Sequence, residues 1–182
     1  MNRQLLLLLS LPLVVLFPLV LGAQEEAFEP GPRTVILVRH AEKAQDGTVN
    51  PPLSEEGTAR AEELALLLGG AGVTHLFSSE YLRTQATLQP LADASGLEVL
   101  VRPAREMGPF LEELRRLPSG AVACVAGHSN TVPALVRGLG GDAAGSLEED
   151  EYDKLFLVTL TGEGSSTLQL SFGARALEPA HK

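Results

Sequence analysis

TVILVRHAEKA, residues 34–44, carries the decisive pattern. Thr34 to Val38 are all apolar or β-branched, a continuous run suited to a strand buried on both faces. Arg39 and His40 follow it without a spacer, and Glu42 stands two residues on. A strand buried on both faces belongs to a sheet covered by helices on each side. In such sheets ligand sites form beyond the carboxyl ends of the strands. A fixed positive charge and an imidazole at that place raise the question of what else collects there.

Working outward, the chain alternates strand and helix patterns. Ala44 to Leu53, with Gly47, Asn50, Pro51 and Pro52, reads as a loop. Ser54 is a suitable N-cap, Glu55 and Glu56 suit the first turn, and the helix carries Leu64, Leu67 and Leu68 on one face before Gly69-Gly70. His75 to Ser79 is a short strand, Tyr81 to Ser95 a helix ended by Gly96, and Leu97 to Val101 a third strand. Pro109 opens a short helix with Phe110, Leu111, Leu114 and Leu117 inward. Ala121 to Ala126 is a fourth strand, and Thr131 to Leu139 a helix ended by Gly140-Gly141. Leu155–Leu160 and Thr167–Phe172 form a hairpin across the TGEGSS loop. This order implies an α/β three-layer sandwich. A mostly parallel central sheet is flanked by helices, with one antiparallel edge strand.

The first residues do not fit that domain. Arg3 precedes an almost wholly apolar run, Leu5 to Leu21, and small then acidic residues follow. That layout is a secretory signal peptide over residues 1–23, with cleavage after Ala23. The rival is an uncleaved membrane anchor, but the run is short for a span and Pro12 and Pro18 interrupt it. Residues 24–33 read as a linker, 34–174 as the domain and 175–182 as a flexible tail. The expected location is the periplasm or the exterior, with no stable membrane span after cleavage.

The 182 residues carry a formal net charge of −9. Without residues 1–23, which hold Arg3 and no acid, it becomes −10. An acidic surface repels nucleic acid, so any anion site must be local. Cys124, the single cysteine, sits within the apolar run AVACVAG and reads as a small buried hydrophobe.

The residues after each strand concentrate positive charge and imidazole. They are Arg39, His40 and Glu42 after the first; Ser78, Ser79, Glu80 and Arg83 after the second; Arg102, Arg105 and Glu106 after the third; and Gly127, His128, Ser129 and Asn130 after the fourth. Guanidinium groups offer a planar fork to two oxygens and stay charged at any working pH. Histidine attacks phosphorus when its other ring nitrogen is held by a hydrogen bond. Helix starts near Arg83 and Asn130 add backbone donors. The set suits a tetrahedral oxyanion such as phosphate.

These motifs resemble the histidine phosphatase superfamily, the phosphoglycerate-mutase-like fold, in an exported small-phosphatase form. VRHAEK is similar to its Arg-His-Gly signature, with Ala41 where glycine is commoner. LSEEGTARAEELA resembles its leucine-(Ser/Thr)-x-x-Gly segment. SSEYLRTQATLQPLA resembles its Ser-x-x-x-Arg-x-x-x-Thr segment, through Arg83 and Thr87. VAGHSNTVPALVRGLGG resembles the second-histidine motif, and EYDKLFLVTL the strand that closes the core. The resemblance implies that His40 is the nucleophile. Arg39, Arg83 and His128 would hold the phosphoryl oxygens, with no metal and no cofactor. Asn130 either contacts the phosphoryl group or caps the next helix. The proton donor is Glu106, Glu42 or neither.

Two other function classes fit part of the pattern. One is a metal-dependent hydrolase with His40, Glu42 and His128 as ligands. The other is a non-enzymatic binder of a phosphorylated ligand. His75, His181, Arg102 and Arg105 read as structural or solvent-facing, and Glu148 to Glu151 as a solvated acidic turn. The brief connection from Val101 to Pro118 leaves no room for a large cap. An open pocket is therefore expected, acting on a phosphorylated small molecule or on a phosphorylated glycan or lipid. Oligomeric state is left open.

Overall fold

The computed structural model describes residues 31–143 and 145–173. The segments expected to be a signal peptide, a linker (up to residue 30) and a tail, with His181, lie outside the described residues. The described elements are β1 (Arg33–Arg39), α1 (Glu55–Leu68), β2 (His75–Ser78), α2 (Leu82–Ser95), β3 (Val99–Val101), α3 (Met107–Arg115), β4 (Val122–Gly127), α4 (Thr131–Gly138), β5 (Lys154–Thr161) and β6 (Gly164–Ser171). One sheet runs in the order β3-β2-β4-β1-β5-β6. The four strands β3, β2, β4 and β1 are mutually parallel. β5 pairs antiparallel with β1 and with β6. The reversed strand β5 is thus penultimate, and β6 forms the edge. The expected α/β three-layer sandwich is present.

Alternation along β1 explains the layers. Val35 and Leu37 point into one apolar cluster with Leu114 and Leu117 near α3 and Val132, Leu135 and Val136 of α4. Ile36 and Val38 point into the other, with Leu64 and Leu68 of α1 and Leu88 and Leu91 of α2. Each such side chain contributes about 1.5–3 kcal/mol relative to exposure. Cys124 is fully buried in the second cluster, and burial pushes its thiol up to about 12. It packs as a hydrophobe.

Several local expectations shift. Leu67 is exposed, because the buried arc of α1 runs through Gly57, Arg60, Ala61, Leu64 and Leu68 and leaves it just outside. α3 begins at Met107, so Pro109 lies within its first turn, where a missing N–H costs little. The hairpin strands extend into the TGEGSS segment, with Thr161 paired to Gly164. Strand β1 takes up Arg33, and Pro32 accepts a hydrogen bond from the Gly120 amide at 2.8 Å.

Ser54 caps α1 as expected, accepting from the Gly57 amide at 3.1 Å. Gly57 is required for another reason. A Cβ there would lie 2.1 Å from the carbonyl oxygen of Glu42, which belongs to the loop leaving His40. Gly57→Ala is expected to destabilise the fold by about 3 kcal/mol, because backbone rather than a flexible side chain must yield. A denaturant midpoint equal to that of the wild type would refute this packing argument.

Candidate active site

His40 leaves the end of β1 with its amide bonded to Gly127 O at 2.9 Å. Gly127 sits where β4 approaches α4; a Cβ there would come within 2.8 Å of Thr131 Oγ1. The Ala41 amide donates to Thr87 Oγ1 at 2.9 Å, and Thr87 donates to Arg83 O at 2.7 Å, which ties the His40 segment to α2. His40 Nδ1 lies 2.8 Å from Ala41 O. A carbonyl only accepts, so Nδ1 carries the proton and Nε2 keeps its lone pair.

An open cleft of about 630 Å³ joins Arg39, His40, Arg83, His128 and Asn130 with Lys43, Glu80, Tyr81, Arg105 and Glu149. The two imidazole rings stand edge to face, 5.4 Å apart. Arg83 lies over the Tyr81 ring at 4.4 Å, and Arg39 over Tyr152 at 4.1 Å. The Nε atoms of both arginines are buried without a hydrogen-bond partner. Burial, with Arg39 adding, draws the Arg83 guanidinium below its ordinary pKa. Neither arginine has a carboxylate partner among the described residues. A buried and a half-buried guanidinium without a carboxylate partner suit an incoming anion.

Arg39 is held from an unexpected direction. Its Nη1 donates to the carbonyls of Glu148 at 2.7 Å, Glu149 at 3.0 Å and Glu151 at 3.3 Å. The turn itself is fastened by the Leu147 amide on Ser129 O at 3.0 Å and by Glu148 N on Glu151 Oε2 at 2.8 Å. The acidic turn expected to be merely solvated is the seat of Arg39, and it brings Tyr152 against His40 at 6.0 Å. Backbone carbonyls form this seat, so the acidic side chains gave no signal of it.

The acid candidates separate clearly. Both oxygens of Glu42 are taken by Arg60, at 2.7 to 2.9 Å, in a nearly buried pair. Glu42 is thereby withdrawn from proton donation and from a metal set with His40 and His128. Glu106 is 54% exposed, lies 3.9 Å from Arg105 and is not among the residues lining the cleft. Glu80, grouped with the residues after the second strand but not weighed as the acid, does line the cleft. It accepts from the Ala104 amide at 2.9 Å, which holds its carboxyl below the usual range and keeps it ionised. Asn130 lines the cleft and makes no side-chain cap bond to α4. Arg102 is paired with Glu113 at 2.6 Å outside the cleft, whereas Arg105 joins its rim.

Burial pushes His40 down to about 3, with Arg83 and Arg39 adding and the Ala41 carbonyl opposing. Burial likewise pushes His128 to about 4, with Arg83 adding and Glu80 opposing. Both are therefore neutral near pH 7. An unfolded histidine titrates near 6.5. Between these values the unfolded chain binds more protons, so stability is fully present above about pH 6.5 and is lost as pH falls towards 4. In anion-free protein Tm is expected to fall across that window, and the slope should be shallower in a His40→Gln, His128→Gln double variant. An unchanged slope would place the acid sensitivity elsewhere.

A family model described as the histidine phosphatase superfamily (branch 1) matches residues 35–108. A probable phosphoglycerate mutase GpmB of Enterobacter sp. (strain 638) is 34% identical over 92 residues, 47% of this chain and 43% of that protein. The match thus spans less than half of that relative's length. Among solved structures, the protein histidine phosphatase SixA complexed with tungstate has a TM-score of 0.64 at 23% identity, covering 76% of this chain and 96% of that one. A putative phosphohistidine phosphatase SixA from Nakamurella multipartitia has a TM-score of 0.56 at 24% identity, covering 80% and 99%. At these identities the two structures speak to the fold.

Proposed function

We propose that the chain, whose residues 35–108 match the histidine phosphatase superfamily (branch 1), is a phosphomonoesterase of that superfamily working through a phosphohistidine on His40. The observation that carries this is the pairing of a bare His40 Nε2 with Arg39, buried, and Arg83, half-buried, whose Nε atoms lack hydrogen-bond partners and which have no carboxylate partner among the described residues. A phosphoryl group in the cleft would place its oxygens on Arg39, Arg83 and His128, with Asn130 at the rim. His40 Nε2 attacks phosphorus in line, and the P–O bond to the leaving group breaks as the P–N bond forms. The charge spread over the equatorial oxygens is met by guanidinium donors already in place. Water then attacks the phosphohistidine, releasing inorganic phosphate and restoring neutral His40.

Neither Glu42, tied to Arg60, nor Glu80, held ionised by the Ala104 amide, is set up to give a proton. Esters whose leaving oxygen is already weakly basic, such as aryl phosphates, are the favoured substrates on this reading. The open cleft also suits a phosphorylated glycan or lipid whose bulk stays outside. Export follows from the N-terminal signal pattern and is part of the same proposal.

The test is phosphate release from an aryl phosphate by residues 24–182 in excess chelator. Chelator-insensitive turnover supports the proposal. Turnover lost to chelator and restored by zinc would overturn it in favour of a metal-dependent hydrolase. Binding of phosphate without turnover of any ester would leave a phospho-ligand binder.

A further inference from the structure

A chain of hydroxyls runs from the core to the cleft. Thr84 is fully buried, and its Oγ1 lies 2.8 Å from Tyr81 O and 3.1 Å from Ser79 O. The same oxygen lies 2.8 Å from Ser79 Oγ, which in turn lies 2.9 Å from Nε2 of His128. A hydroxyl has one proton to give. An amide carbonyl accepts more strongly than an alcohol, and Thr84 has two carbonyls in reach, so its proton goes to the backbone. The Thr84 oxygen is then an acceptor for Ser79. With its own proton committed to Thr84, Ser79 can only accept from His128. That fixes the ring proton of neutral His128 on Nε2 and leaves Nδ1 bare.

A bare Nδ1 cannot donate to an anion. The groups around this ring are Arg39 and His40 from the end of β1, Arg83 from α2, and Glu80 and Tyr81 from the loop before α2. Two of them are fixed cations. We propose that Thr84 and Ser79 are positioning residues that hold His128 in its Nε2–H form, so that a tetrahedral dianion enters the cleft together with one proton, which is taken up on His128 Nδ1. The coupling rests on reading the cleft as a phosphoryl site; the tautomer does not. Its consequence is that occupancy of the cleft is read out as charge on His128. The imidazolium exists only while the anion is there to offset it, and the empty cleft is spared a further cation beside Arg39 and Arg83.

The probe is sulfate, a tetrahedral dianion with no proton of its own to exchange near neutral pH. Calorimetry in two buffers of different ionisation enthalpy counts protons bound per sulfate. Wild type and Thr84→Ser are expected to take up close to one at pH 7, with affinity falling about tenfold per pH unit. Thr84→Val keeps the shape but removes the acceptor, so Ser79 turns its proton to His128 Nε2 and Nδ1 becomes the N–H. Uptake should then drop towards zero and the pH dependence flatten. Nitrogen-15 spectra of the anion-free wild type should show His128 protonated on Nε2. They should also show the proton arriving on His128 when sulfate is added, including in His40→Asn. An Nδ1–H tautomer in the free protein, no proton uptake by wild type on sulfate binding, or unchanged uptake in Thr84→Val would each overturn the proposal. Failure of sulfate to bind would count against the phosphoryl-site reading, while the tautomer would still be decided by the spectra. If Thr84→Val does not fold, the wild-type proton count and tautomer decide alone.

Discussion

On the proposed phosphohistidine route, His40→Ala is expected to lower kcat for aryl phosphate hydrolysis by about 10⁴-fold or more, because it removes the nucleophile. His40 Nε2 has no protein partner, and its ring is oriented by the Nδ1 bond to Ala41 O. Its amide is anchored on Gly127 and its neighbour on Thr87. The variant loses the nucleophile and keeps this scaffold. Sulfate should therefore still bind, since Arg39, Arg83 and His128 are untouched. Rapid quenching with radiolabelled substrate should trap an acid-labile phosphoprotein in wild type and none in the variant. Activity within tenfold of wild type would remove His40 from the nucleophile's role and, because His40 is also one of the three candidate ligands, would count equally against the metal-dependent reading.

Arg39→Lys should be the second largest loss, about 10²- to 10³-fold in kcat/KM. The arginine meets two demands with one planar group. Its Nη1 holds the carbonyls of Glu148, Glu149 and Glu151, its face lies on Tyr152, and its Nε is left without a partner. A lysine presents its donors from a single point and cannot hold the turn and an anion together. Weaker sulfate binding should accompany the loss. The Leu147 amide, bonded to Ser129 O, should exchange faster as the turn loosens. Tyr152→Phe, which keeps the ring under the guanidinium, should leave kcat/KM within a few-fold. A lysine variant with full activity would mean that Arg83 and His128 suffice for the phosphoryl oxygens.

The candidate site was legible to different depths at different places. Arg39, His40 and His128 stand at the ends of their strands and Arg83 in the first turn of the helix that follows β2, and the parallel register brings those strand ends to one edge: Arg39 pairs with Gly127, and Ser78 with Ala126. Glu106 was placed by the same logic and fell outside the cleft, because it stands at the start of α3 with its side chain largely in solvent. The seat of Arg39 was missed for a topological reason. β5 runs antiparallel to β1, with Leu155 opposite Val38. The residues that precede β5 therefore lie at the edge where the parallel strands end. Attention to the carboxyl ends of strands alone could not reach Glu148 to Tyr152, which stand at the amino end of a reversed one.

By itself the sequence determined the layered α/β architecture, the burial of β1 on both faces, the caps of α1 and the gathering of arginine and imidazole at one edge. Those features come from local pattern and from the fixed handedness and direction of parallel crossovers, which leave few alternatives. Only the tertiary structure decided which charges are free. Glu42 and Arg60 are eighteen residues apart and find each other across α1. Arg39 and Glu148 are separated by 109 residues and meet through a backbone carbonyl that any residue carries. Whether an acid is neutralised, an arginine left waiting or a histidine kept neutral depends on partners and burial in three dimensions, which local pattern does not encode.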